Sequence, residues 1–144
     1  MEALLTAIVV WLSANFSIPI NFNNPRIEYV PQAKMVEMRL HAIHSVTKSA
    51  GQIPNVAAIY DDERRIIFLP EGWSATTPAQ LSLLVHEMVH HLQNLSGEKF
   101  ECPAAREKLA YLAQDLWLKQ FGRSLESDFE VDKLTTVIKS TCAF

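Results

Sequence analysis

The chain is short of several things, and each shortage closes off a reading. Its 13 lysines and arginines are scattered rather than clustered, against 16 aspartates and glutamates, for a net charge of −3. Neutralising phosphates takes a clustered positive surface, so no nucleic-acid partner is expected. A membrane-spanning helix needs about 20 apolar residues. The most apolar stretch here, Ala3 to Leu12, is too short, so no stable membrane insertion is expected. A secretory signal begins with basic residues, yet the one charged side chain before that stretch is Glu2. Leu5, Ile8, Val9, Leu12 and Phe16 recur at helical spacing, with Glu2, Thr6 and Ser13 outside the stripe. A helix belonging to the domain is therefore predicted. Met1 is then read as an initiator added to a mature chain whose leader has been removed.

Cysteine is also scarce. Cys102 and Cys142 are the only two, and there is no C-x-x-C. A bond between them would close a 40-residue separation (142 − 102) and tie down the tail, a contribution of roughly 4 kcal/mol in the chain-entropy picture. That pairing implies an oxidising compartment, periplasmic or extracellular. Two buried free thiols in a cytoplasmic protein are the alternative. No repeat or low-complexity segment appears. What remains is 144 residues, 49% of them hydrophobic, enough for one domain with a real core over residues 1–144.

Against that background one motif stands out. His86-Glu87-Met88-Val89-His90 reads H-E-x-x-H, the signature of zinc hydrolases. On a helix, residues four apart lie nearly above one another, about 6 Å apart along the axis, so two imidazoles can point at one metal. Glu87 sits one step round, beside the ligands, where it can hold the attacking water without being a ligand. A random chain of this composition would contain the motif about one time in a hundred, so its context decides.

The context is a capped helix. Thr77 is a good N-cap, Pro78 suits the first helical position, and Gln80 stands three after Thr77 as in a capping box. Leu81, Leu84, Val85, Met88, Leu92 and Leu95 form a buried stripe, with His86, His90 and Leu83 on the face beside it. Gly97 can take the left-handed cap. A second helix is predicted from Pro103 to about Phe121, with Ala105, Leu109, Leu112, Leu116 and Trp117 as its apolar stripe. The connection from Ser96 to Cys102 is short, so the two helices should be antiparallel neighbours. Glu107 then returns towards His90 and is the favoured third ligand, because catalytic zinc takes three protein ligands and keeps one open position. Cys102, Glu101 and Glu98 are rivals. His91 projects about 100° away, off the metal face.

The segments LSLLVHEMVHHLQ and ECPAAREKLAYLAQDLW, with IYDDERRIIFLPEGW upstream, carry a resemblance. HEMVH followed by a Glu on the next helix resembles the gluzincin group of metallopeptidases. The longer segments look like a family of small, uncharacterised bacterial metallopeptidase-like proteins, over most of the chain and most specifically from Val56 to Trp117. The resemblance implies zinc on His86, His90 and Glu107, with Glu87 as general base. It implies no substrate.

The rest of the chain fills out the fold. Arg26 to Val30 reads as a strand stopped by Pro31, Gln32 to Ser49 as a helix, and Gly51 to Pro54 as a turn. His41 and His44 lie three apart on that helix with no acid beside them, and are expected to be surface or satisfied histidines. Val56 to Tyr60 and Arg65 to Leu69 flank Asp61-Asp62-Glu63-Arg64 as a hairpin. Ile66 to Leu69 is the candidate sheet edge along a cleft, where an extended substrate could add as a strand. Asp128 to Thr141 is read as a last helix. The order gives an α+β class: a small zincin-like domain with about three strands packed on helices.

The expected activity is zinc-dependent hydrolysis of a peptide or protein substrate. Glu87 takes the water proton and passes it to the leaving amine, and the Tyr111 hydroxyl is the candidate donor to the oxyanion. His91 is a weaker candidate for that donor. The alternative is a catalytically silent, zinc-stabilised binding module, or a domain that needs a partner to complete its cleft. Oligomeric state is not legible.

Overall fold

The apolar spacing of the first residues does what it predicts. Helix α1, Glu2–Phe16, buries Leu5, Ile8, Val9 and Leu12 completely. It stops at Ser17, whose left-handed backbone (φ 55°) lets its N–H bond back to the Ser13 carbonyl at 3.1 Å. The computed structural model describes residues 1–42 and 57–142, with 41 and 42 described by backbone alone. His44, the end of the helix expected to reach Ser49, the Gly51–Pro54 turn and Val56 lie outside the described residues, as does the side chain of His41.

The chain divides into two compact units. One comprises Met1–Asn24 and Ala75–Phe144, the other Pro25–Ser74. Among the described residues there are six α-helices and a three-stranded mixed sheet, which makes the protein α+β. No described helix is long and apolar enough to cross a membrane.

The smaller unit holds β1 (Arg26–Val30), α2 (Gln32–Ala42), β2 (Ile59–Asp61) and β3 (Ile66–Pro70). The hairpin forms as expected, with β2 antiparallel to β3 and Tyr60 opposite Ile67. Its turn is held by Asp61, whose Oδ1 accepts from the N–H groups of Glu63 and Arg64 at 3.0 Å each. Strand β1 then joins the other side of β3 in parallel, Arg26 opposite Ile66. The order β1-β3-β2 therefore puts Ile66 to Leu69 in the middle of the sheet, not at an edge. All four side chains are buried, and both backbone sides are already paired. Strand addition there is excluded. The unbroken apolar run was itself the signal: an edge strand with one wet face alternates, whereas a strand covered on both faces does not. Met35 of α2 packs with Ile66 and Phe68 in the core of this unit.

The larger unit is helical. Helix α3, Pro78–Ser96, starts with Thr77 Oγ1 accepting from the Gln80 N–H at 3.1 Å and ends at Gly97 with φ 69°. Only half of the capping box is made, because Gln80 Oε1 accepts from the hydroxyls of Thr76 and Thr77. The helix expected from Pro103 to Phe121 is two elements. A 3₁₀ turn, Pro103–Arg106, leads into α4, Glu107–Lys119. Its buried face is Ala110, Ala113, Gln114 and Leu118, not the expected stripe, since Leu112 and Leu116 are exposed. Trp117 meets Trp11 of α1 edge to face at 5.1 Å. The helix expected over Asp128 to Thr141 is mainly α6, Lys133–Ser140, while Asp128 and Phe129 end a separate short helix, α5, Leu125–Phe129. Glu130 breaks them apart with a left-handed backbone (φ 56°), and Asp132 caps the second by accepting from the Thr135 N–H at 2.7 Å. Leu134, Val137 and Ile138 of α6 are exposed.

Candidate metal centre

Helix α3 sets His86 and His90 one turn apart, with ring centroids 5.0 Å from each other. Helix α4 runs back along it. Arg106 reaches His90, Glu107 reaches both histidines, and Gln114 reaches His86 and Ser82. Later residues of α4 thus meet earlier residues of α3, the antiparallel pairing that the short connection demands. It brings Glu107 to the motif as expected. His86 Nε2 lies 2.9 Å from Glu107 Oε2, and His90 Nε2 lies 3.2 Å from Glu107 Oε1. The two imidazoles are largely covered, at 12% and 9% exposure, and the carboxylate is 30% exposed, so the cluster opens to solvent on the Glu107 side.

The rival ligands go elsewhere. Cys102 is bonded to Cys142, with Cα atoms 5.9 Å apart, which removes it as a thiolate. That bond is compatible with an extracytoplasmic location. Glu98 and Glu101 are exposed. His91 turns off the metal face as expected and donates from Nε2 to the Asn23 carbonyl at 2.6 Å. Among the described residues, His86, His90 and Glu107 are the group whose ligand atoms gather, all within 4.8 Å of one another. Tetrahedral zinc with bonds of about 2.1 Å spaces its ligand atoms roughly 3.4 Å apart, so only a small adjustment would seat an ion.

The expected catalytic residues flank this group. Glu87 is half-buried next to His86 on α3, and its charge is felt at His90. Tyr111 sets its ring edge to face against His86, centroids 4.9 Å apart.

Two residues of the site were not anticipated, Gln93 and Gln114. Gln114 Oε1 stands 2.9 Å from His86 Nδ1, and its Nε2 donates to Ser82 Oγ at 3.2 Å. Gln93 Oε1 stands 3.0 Å from His90 Nδ1, and its Nε2 donates to the Arg106 carbonyl at 3.2 Å. The signal was present in the sequence: Gln93 is three residues past His90, and Gln114 is seven past Glu107, each on the ligand's own helix face.

Counting protons tests whether a cation fits. A neutral imidazole has one N–H. With Nδ1–H given to a glutamine oxygen, each Nε2 is left as a lone pair. Both lone pairs face the carboxylate oxygens of Glu107, acceptor against acceptor at 2.9 and 3.2 Å. Such contacts need positive charge between them, as protons or as a metal. Protonation is one solution. Burial opposes charge on His90, but its hydrogen bond to Glu107 and the carboxylates of Glu87 and Glu107 outweigh that and raise its pKa above the ordinary 6.5. Burial would likewise raise the Glu107 carboxyl, yet hydrogen bonds and charge from His86 and His90 hold it far below the usual carboxylate range. A divalent ion is the other solution, and two neutral imidazoles with one carboxylate are a zinc donor set.

Searches of curated proteins and of solved structures return no match. The profile of one family spans residues 1–144, and the chain belongs to that family, described as a domain of unknown function (DUF6647).

Proposed function

We propose that this protein is a zinc-dependent peptide-bond hydrolase of zincin-like fold, with His86, His90 and Glu107 as ligands. One observation carries the reading. Two imidazole nitrogens from α3 and a carboxylate from α4 converge with their ligand atoms within 4.8 Å of one another, a set that a cation would complete. Glu87, one residue from a ligand and outside the set, fits the general base that the H-E-x-x-H spacing requires.

A bound Zn²⁺ would supply Lewis acidity, making water a nucleophile near neutral pH and polarising a carbonyl. The protein's own groups do the rest. Gln114 and Gln93 hold the ring orientations. Glu87 accepts the proton of the attacking water and delivers it to the departing amine. Tyr111 offers its hydroxyl to the oxyanion from the side of His86. The substrate is a peptide or protein segment, and the Cys102–Cys142 bond favours a periplasmic or secreted setting.

The test is Glu87→Gln. Zinc should stay bound at one ion per chain while hydrolysis of an unfolded protein substrate falls by roughly 10²- to 10⁴-fold, the usual weight of a general acid–base group. A wild type that holds one zinc yet cleaves nothing across a broad peptide library belongs instead to the silent binding-module class. A wild type that binds no zinc has a protonated His–Glu–His cluster with a structural role.

A further inference from the structure

Resting on the metal reading, one further assignment follows from the two glutamines. We propose that Gln114 and Gln93 are positioning residues that choose the ring nitrogen each histidine offers to the ion, before any ion arrives.

The argument turns on which end of each amide faces the ring. Ser82 Oγ gives its hydrogen to the Ala79 carbonyl at 2.7 Å, so towards Gln114 it presents a lone pair. The Gln114 amide must therefore aim its NH₂ at Ser82 and its oxygen at His86. The Arg106 carbonyl can only accept, so Gln93 must aim its NH₂ there and its oxygen at His90. Neither amide can turn over without setting acceptor against acceptor. Both glutamines are about 95% buried, and Ser82 is fully buried, so water does not readily repair a mismatch.

Fixed amide oxygens settle the rings. Each imidazole has two places to put its single proton. One is Nδ1, facing the glutamine. The other is Nε2, facing the Glu107 carboxylate, a charged and ordinarily stronger acceptor. If the proton went to Nε2, it would occupy the nitrogen that points into the site and block it. The glutamines hold it on Nδ1. Arg106 is held at two points, since its Nη2 donates to the His90 carbonyl at 3.4 Å while its own carbonyl takes the Gln93 amide. The turn that launches Glu107 is thus tied to the helix turn that carries His90.

The choice of an amide has a further consequence. A carboxylate behind a ligand histidine raises the basicity of the ring. A neutral amide orients without adding charge, in a site that already holds Glu87 and Glu107. The two positions also differ. At 114 a carboxylate is tolerable, because its charge makes it a stronger acceptor than either the Ala79 carbonyl or a turned amide oxygen and can draw the Ser82 hydrogen to itself. At 93 it would confront the Arg106 carbonyl with no donor between.

The experiment reads ring tautomers by nitrogen-15 NMR on histidine-labelled protein, metal-free and at alkaline pH, alongside zinc affinity by chelator competition. Wild type should carry both ring protons on Nδ1. Gln114→Leu should move the His86 proton to Nε2, and Gln93→Leu should do the same for His90, each weakening zinc about 10- to 100-fold. Gln114→Glu should restore the wild-type tautomer with zinc bound at least as tightly as in wild type, and it keeps the test decisive if the leucine variants fold poorly. Metal-free wild type with its ring protons on Nε2, or leucine variants with wild-type tautomer and affinity, would overturn the assignment. A wild type that binds no zinc but keeps Nδ1–H on both rings would sink the metal reading instead, so the two failures can be told apart.

Discussion

On its inner side α4 buries Ala110, Ala113, Gln114 and Leu118 and aims Glu107 at two histidines; on its outer side Leu112 and Leu116 stand 51% and 38% exposed. The inner face mixes the apolar Ala110, Ala113 and Leu118 with the polar Gln114 and Glu107, while two leucines stay outside. The inner face can be polar because its polar atoms are committed to partners. Glu107 serves both imidazoles, and Gln114 bridges His86 to Ser82. A buried polar group with partners costs little, and one without them costs a few kcal/mol. The outer leucines show the converse, since single exposed apolar side chains are ordinary on protein surfaces. At Gln114 and Glu107 burial follows the site rather than hydrophobicity, and rules read from sequence fail most readily at such positions.

The comparison can be broken at several points. The largest effect is expected from Glu107→Ala. Zinc affinity should fall by more than about 100-fold, because a ligand weighs more than the groups behind it. Chelator competition checks this, and unchanged occupancy would remove Glu107 from the ligand set. Next is the bond that anchors the turn before Glu107. Replacing Cys102 and Cys142 together by serine should cost about 2–5 kcal/mol of unfolding free energy, read by denaturant titration of the oxidised wild type against the variant. Third is Ala113→Leu on the inner face, where overpacking should cost about 1–3 kcal/mol. The smallest is Leu112→Gln on the outer face, which should stay within about 0.5 kcal/mol and leave zinc binding unchanged. A loss from Leu112→Gln as large as that from Ala113→Leu would show that the outer leucines are covered by a partner.

Acidity separates the two ways of filling the site. Without metal, the raised His90 pKa adds stability that is fully present below 6.5 and is lost as pH rises through the folded value. The depressed Glu107 pKa adds stability that is present above 4.5 and is lost as pH falls. The metal-free protein should therefore gain most from this pair between pH 4.5 and 6.5. Zinc competes with the His90 proton, so its affinity should rise with pH over the range in which the metal-free pair weakens. Thermal melts across pH, with and without zinc, should show opposite slopes above 6.5.

The parts of the site that sequence made legible are those written in local spacing. His86 and His90 on one face, the Thr77 cap, the Gly97 stop and the return of Glu107 all follow from helix geometry and a short connection. Gln93 and Gln114 were as well placed, but an uncharged amide carries no motif, and its role shows only when its partners are in view. The errors share a cause. Leu109, Leu112 and Leu116 have the spacing of a core stripe, yet the true inner face is Ala110, Ala113, Gln114 and Leu118. Ile66 to Leu69 precedes the metal helix, where a cleft edge is expected, yet the parallel pairing with β1 across 40 residues (66 − 26) is a long-range contact that no local pattern announces. The left-handed Glu130 between α5 and α6 was equally silent, since nothing but backbone strain marks it.

The central claim is that α3 and α4 together make a zinc site. Zinc-edge anomalous diffraction from a crystal grown with the metal tests it most directly. The account predicts one ion per chain bound by Nε2 of His86, Nε2 of His90 and a Glu107 carboxylate oxygen, with both Nδ1 atoms still against Gln114 and Gln93. An anomalous peak elsewhere, an ion held through Nδ1, or no peak between these three side chains would contradict it.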